Sequence, residues 1–217
     1  MRGSLLGCLI LLTACAGSPT PIPEPKLANA GPPVVSGSLS LPARIGLLRL
    51  SEGRPTAVPA PEYARWRGAI AEVNRALLYP LRLTPLAPGV ADPEPVSDYD
   101  FLALENGLDA VLVYELSVAV SEDPLTAGLT QLPFFGGVVP VSAATRASGR
   151  AVARLYSVGQ PVALASTEAR MTDAAIASVR QSEGSGRRMR ALAEYALLHR
   201  MMPAAEDMIV GTVAAGR

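Results

Sequence analysis

Residues 110–121, AVLVYELSVAVS, decide the fold. Ala110 to Tyr114 is an unbroken apolar run, which suits a strand covered on both faces. From there the pattern alternates, with Leu116, Val118 and Val120 against Glu115, Ser117, Ala119 and Ser121. A period of two marks a strand with one wet face. One strand is therefore expected to begin in a layered core and to leave it as a half-exposed ribbon. A strand buried on both sides needs elements stacked above and below it, which points to the α/β class.

The flanking segments extend this reading. Arg44 to Leu50 (RIGLLRL) reads as a strand. Over Pro61 to Leu78, Trp66, Ile70, Val73 and Leu77 make one apolar helical stripe, with Glu62, Arg65, Glu72 and Arg75 mostly opposite. Leu81 to Leu86 is a short strand, and Asp98 to Gly107 a second helix that Gly107 stops. Arg146 to Ser157 and Pro161 to Met171 form a hairpin around Val158-Gly159-Gln160. In its first strand Arg146, Arg150 and Arg154 share one face with Ser148 and Val152. Ala147, Gly149, Ala151, Ala153 and Leu155 make the other, small enough for a helix to pack closely. Asp173 to Gln181 reads as a short helix, and Arg187 to Met202 as a longer one stopped by Pro203. A last short helix follows over Ala204 to Val213. The expected order is β-α-β-α-β-β-β-α-α: a mixed-sheet α/β sandwich, one domain over 44–217.

The N-terminus reads as an address. Met1 and Arg2 precede the apolar run Leu5 to Leu12, and Leu12-Thr13-Ala14-Cys15 follows. A short apolar stretch ending in small residues is a secretory signal, too short for a mature membrane-spanning helix. The Leu-Thr-Ala-Cys pattern resembles the lipobox of bacterial lipoproteins, which implies a signal peptide over 1–14 and acylation of Cys15. The alternative is an ordinary signal peptide with a coincidental cysteine. Ala16 in place of Asp favours the outer membrane, by resemblance to enterobacterial sorting. Residues 15–43, with seven prolines from Pro19 to Pro42, read as an extended tether without helix or central strand.

Composition excludes several classes. The 217 residues carry 19 basic and 19 acidic side chains, and this balance argues against a nucleic-acid binder. Lys26 is the only lysine and His199 the only histidine, so multi-histidine metal sites and histidine-based triads are not expected. No cofactor and no metal are expected. His199 reads as a surface residue near a helix end. Glu183 to Arg188 reads as a solvent loop, since neither a preceding strand nor a Walker lysine is present.

Two surfaces stand out. Pro124 to Thr145 runs 22 residues without a charge. Its Leu132, Phe134, Phe135, Val138 and Val139 suit contact with a membrane or partner protein, or a lid over the sheet. Charge is also segregated. Nine acids and no basic residue lie between Arg82 and Arg146, whereas Arg146 to Arg200 holds nine arginines and four acids. Arg146, Arg150 and Arg154 are thus candidates for a charged interface between copies. The alternative is neutralisation across neighbouring strands of one domain.

LPARIGLLRL at 41–50, LDAVLVY at 108–114, LPFFGGVVP at 132–140 and TRASGRAVARLYSVGQPVALAS at 145–166 occur in this order around the 61–78 helix. Over residues 41–171 the chain thereby resembles the rhombotarget lipoprotein family. More loosely, it resembles the periplasmic α/β domain of the curli-secretion channel lipoprotein and other envelope-assembly lipoproteins. The resemblance carries no catalytic residues. The chain stops at Val213-Ala214-Ala215-Gly216-Arg217 without the glycine-rich, transmembrane, basic tail of the family's namesakes, so rhombosortase processing is not expected. The expected protein is a non-enzymatic, lipid-anchored accessory or assembly factor of the bacterial cell envelope. It would face the periplasm, held to the membrane by its acylated cysteine, with envelope proteins or further copies of itself as partners. The alternative is a periplasmic module that binds a small ligand or cell-wall fragment in a cleft beside the sheet.

Overall fold

In the computed structural model the strands of the 110–157 region are the longest and lie at the centre. Residues 30–77, 80–86, 102–124, 143–160, 162–178 and 185–215 are described. The strands are β1 (Val34–Val35), β2 (Arg44–Ser51), β3 (Arg54–Thr56), β4 (Arg82–Pro85), β5 (Ala110–Pro124), β6 (Ala143–Ser157) and β7 (Ala165–Ser178). The helices are α1 (Ala60–Arg75) and α2 (Ser185–Ala214), with a helical stretch at 102–105. The seven strands form one mixed sheet in the order β1-β7-β6-β5-β2-β3, with β4 also on β2. β2 runs parallel to β4 and β5, and the other pairings are antiparallel. The sheet is open and the class is α/β, as the apolar pattern of 110–121 requires.

Strand parity sorts the side chains. Ile45, Leu47, Leu112, Tyr114, Leu116, Ala151, Ala153 and Leu155 lie in the larger core, with Trp66, Ile70 and Val73 of α1 and Leu197, Leu198 and Met201 of α2. Leu48, Leu50, Val111 and Val113 occupy the opposite face, under Leu86, Leu102, Ala103 and Leu108. The first half of β5 is therefore covered on both sides. Beyond it Ser117, Ala119 and Ser121 are exposed, and the strand becomes the half-wet ribbon its alternation predicts. The small residues of β6 do admit a helix. A Cβ on Gly149 would stand 2.7 Å from Leu197 Cδ1 and 2.8 Å from the Ser117 carbonyl oxygen.

Four expectations are corrected. The helix at 173–181 does not form, because 173–178 continue β7, and Ala174 to Ser178 pair with Ala147 to Ala143. Cross-strand pairing with a long neighbour outweighs the weak helical preference of an alanine-rich segment. Pro203 does not stop its helix but lies inside α2, which is continuous from Ser185 to Ala214. The buried stripe Leu197, Leu198, Met201 and Ala205, Met208, Ile209 runs past the proline without a break, and Pro203 itself points to solvent. Burial on both sides outweighs the one lost backbone hydrogen bond. The second strand of the hairpin starts at Ala165 rather than Pro161, and β1 and β3 are additional strands. Finally, 30–43 is not free tether. Val34 and Val35 pair with Ser166 and Ala165, the Gly31 and Ser36 amides donate to Glu168 and Leu164, and Leu39 is buried. The prolines confine this segment to the sheet edge, where missing amide donors are tolerated.

Candidate functional site

β2 is apolar at Ile45 and Leu47, yet the next residue of the same parity is Arg49. It stands beside Tyr114 in the β2–β5 register, so both side chains face the helices. Arg49 and Glu62 are 16% and 15% exposed, and Arg49 Nε lies 3.2 Å from Glu62 Oε2. Arg49 Nη2 is also 3.8 Å from Glu194 Oε2 on α2. The Tyr114 hydroxyl donates to Glu62 Oε2 at 2.7 Å. Burial first, and then this hydrogen bond to an anion, push the Tyr114 hydroxyl well above the usual phenol range. The arginine thus lies between a carboxylate of α1 and one of α2. Glu62, placed by its sequence mostly opposite the apolar stripe, instead turns inward in the first turn of α1.

Above this network a cleft of about 200 Å³ opens between the helices, lined by Pro59, Pro61, Glu62, Arg65, Glu194 and Tyr195, with Leu198 and Ala191 beneath. The Arg65 guanidinium carbon sits 3.7 Å from the Tyr195 ring centroid. Tyr195 in turn stacks with His199 at 6.4 Å. Tyr195 and Leu192 are 56% and 52% exposed, which is large for residues of their apolar size. His199 is a surface residue as expected, but it lies in mid-helix rather than near an end.

The second candidate surface is the opposite, wet face of β5–β7. Arg146, Arg150 and Arg154 lie on it, as their spacing predicts. Arg150 stands directly opposite Arg170 of β7. Glu168 accepts hydrogen bonds from both, from Arg150 Nη2 at 2.6 Å on Oε2 and from Arg170 Nε on Oε1. These two guanidiniums, Arg150 first, hold the Glu168 carboxyl down at about 2. Arg44 likewise pairs with Asp109 at 3.6 Å. Glu168 belongs to the arginine-rich block itself and Arg44 lies outside it, so these pairs do not join the two blocks; Glu115 of the acidic block acts on Arg150 through its charge alone.

Cys15, Leu132, Phe134, Phe135, Val138 and Val139 lie outside the described residues, as do residues 87–101 with four of the nine acids. No helix among the described residues is long and apolar enough to cross a membrane.

No protein-family model matches the chain, and no curated protein does. Solved structures give low-identity likenesses. The PelC dodecamer from Paraburkholderia phytofirmans is 9% identical, with a TM-score of 0.34 over 81% of this chain and 95% of that one. A neuraminyllactose-binding hemagglutinin homolog from Helicobacter pylori is 12% identical, with a TM-score of 0.39 over 80% and 87%. Lipoprotein GNA1162 from Neisseria meningitidis is 16% identical, with a TM-score of 0.34 over 75% and 99%.

Proposed function

We propose that this chain is a lipid-anchored accessory lipoprotein of the bacterial cell envelope, working without catalysis through contact with an envelope protein. The Leu12-Thr13-Ala14-Cys15 pattern behind an apolar signal supports the anchor, with Cys15 as the acylated residue. The rhombotarget-like order of motifs supports the same class, and Ala16 after the cysteine supports the outer membrane, facing the periplasm. The observation that carries the contact role is the α1–α2 cleft, lined by exposed Tyr195 with Arg65 held over its ring, and exposed Leu192 lies three residues before Tyr195 on α2. Tyr and Arg beside an apolar pocket are the residue types that dominate contact energetics. Leu132, Phe134, Phe135, Val138 and Val139 supply a second apolar contact.

Two measurements test the proposal. Cys15→Ala should abolish acyl labelling and release the protein from the membrane fraction. Leu192→Ser with Tyr195→Ser should keep the fold and remove the protein's cross-linked envelope partner. An unchanged cross-linking pattern in a folded double variant refutes the cleft as the contact.

The same cleft favours a second reading, a small-ligand module, because half-buried Glu62 and Glu194 both line it and are bridged by Arg49. Specific thermal stabilisation by a small molecule, lost in Arg65→Gln, would select this reading over the first.

A further inference from the structure

We propose that the arginine face of β5–β7 lies against anionic phospholipid headgroups of the membrane that holds the anchor. Its geometry rests on acylation of Cys15; its charge does not. Among the side chains described, Arg150, Arg154 and Arg170, with Arg146 at the end of the row, share this face with Glu115 and Glu168. Along β6 the arginines recur every four residues, about 13 Å apart at roughly 3.3 Å per residue. On β5, Ser117 and Ser121 stand opposite Arg150 and Arg146 with Ala119 between them, and Glu115 stands between Arg150 and Arg154. Glu168 engages Arg150 and Arg170 through one nitrogen each, which leaves the other donors of both forks directed at solvent. The side chains of Arg150 and Arg170 are 52% and 67% exposed. A planar fork with spare N–H groups is suited to phosphate.

The entry point of the chain selects the occupant. The Gly31 amide donates to the Glu168 carbonyl at 3.1 Å. The segment leading back to Cys15 therefore joins the fold at the very residue that ties Arg150 to Arg170. Residues 16–30 span at most roughly 45 Å at about 3.1 Å per residue in a proline-rich chain. An acylated Cys15 thus keeps this face within reach of phosphate headgroups at high effective concentration. An acidic protein partner gains nothing from that attachment point. Because α1 and α2 cover the other side of the sheet, the docked domain turns its cleft away from the bilayer.

The test uses the full chain carrying Cys15→Ala, so that acylation plays no part, and vesicles of phosphatidylethanolamine with and without phosphatidylglycerol. Binding should be tighter with phosphatidylglycerol and should weaken with salt. Each arginine near an anionic surface is worth roughly fivefold, so Arg150→Gln, Arg154→Gln and Arg170→Gln together should weaken binding about 100-fold. Glu168→Gln should tighten it several-fold, which a merely structural role for these ion pairs does not give. Equal binding to both vesicle types overturns the proposal, as does a folded triple variant that binds like the parent. Should the triple variant lose its circular-dichroism signature, the Glu168→Gln arm decides, and no tightening there overturns it. Capture by soluble polyglutamate with no vesicle binding overturns the lipid assignment in favour of an acidic protein. Failed acyl labelling in cells would refute the anchor and leave the vesicle result standing.

Discussion

Gly149 sets how near α2 approaches the sheet, and Gly149→Ala tests that reading. A methyl group there would meet Leu197 Cδ1 at 2.7 Å, the Ser117 carbonyl oxygen at 2.8 Å and Val118 Cγ2 at 3.2 Å. The leucine tip can swing aside. The carbonyl belongs to β5, where Ser117 and Val118 stand opposite Arg150 and Gly149, so moving it disturbs the ladder. Overpacking of this kind costs about 1–3 kcal/mol. Gly149 has no positive φ, so alanine also regains about 0.4–1 kcal/mol by restricting the unfolded chain. The net expectation is a loss of about 1–2 kcal/mol, or a melting temperature lower by roughly 3–6 °C at about 2–4 °C per kcal/mol for a domain this size. Thermal and urea unfolding of the full chain measure it. Gly68→Ala on the exposed side of α1 is the matched control. Its Cβ meets nothing within 4 Å, so it should gain about 0.5–1 kcal/mol from helix propensity. In a double-mutant cycle, Leu197→Ala should cost less beside Ala at 149 than beside Gly. A Gly149→Ala protein as stable as its parent would refute the close approach of α2.

Two further outcomes follow from the helices and the buried tyrosine. Pro203→Ala restores the amide that an unbroken α2 lacks at this exposed position, so it should raise stability by about 1–3 kcal/mol, read as a higher melting temperature; an unchanged or lower value would mean that α2 needs the proline. Tyr114 has its folded pKa raised, so its contribution is present below the unfolded value near 10 and is lost as pH rises past it. The parent should therefore lose about 1.4 kcal/mol per pH unit above roughly pH 10 from this group alone. Tyr114→Phe should lack that component while losing about 1.5–3 kcal/mol at neutral pH, because a hydrogen bond to a charged group disappears. Identical alkaline slopes in the two proteins would refute the assignment.

What the sequence made legible was whatever repeats locally. The alternation in 116–121 and the small inward residues of β6 each name a face, and parity carries that over a whole strand. The misread segments are those in which distant partners decide. Ala174 to Ser178 has no strand signature of its own and is extended because β6 runs alongside. Pro203 looked like a stop because its local effect is strong, although the apolar stripe through 197–209 already showed one continuous face. The cleft was hidden for another reason: Arg49, Glu62, Tyr114 and Glu194 come from four different elements. One signal was present nonetheless. Arg49 has the inward parity of Ile45 and Leu47, and a charge at such a position needs partners across the core.

That inward arginine also bears on how the domain holds its shape. A buried ion pair seldom stabilises better than well-packed apolar residues, so Arg49 is a poor choice if stability were all that mattered. Its geometry supplies another reason. One guanidinium reaches Glu62 in the first turn of α1 and Glu194 in the first third of α2, at 3.2 and 3.8 Å, while its own strand fixes it to the sheet. The distance between the two helices at this level is therefore referred to a single side chain. Above the same level Arg65 of α1 covers Tyr195 of α2, a second cross-link between the same elements. Apolar contacts alone would let α1 slide along α2 at little cost, whereas two charged contacts penalise each shift that separates them. The width of the cleft is thus specified by ionic contacts from beneath and by a cation–π contact at the rim. A surface meant to receive a partner gains from such fixed geometry, since little ordering then remains to be done on binding.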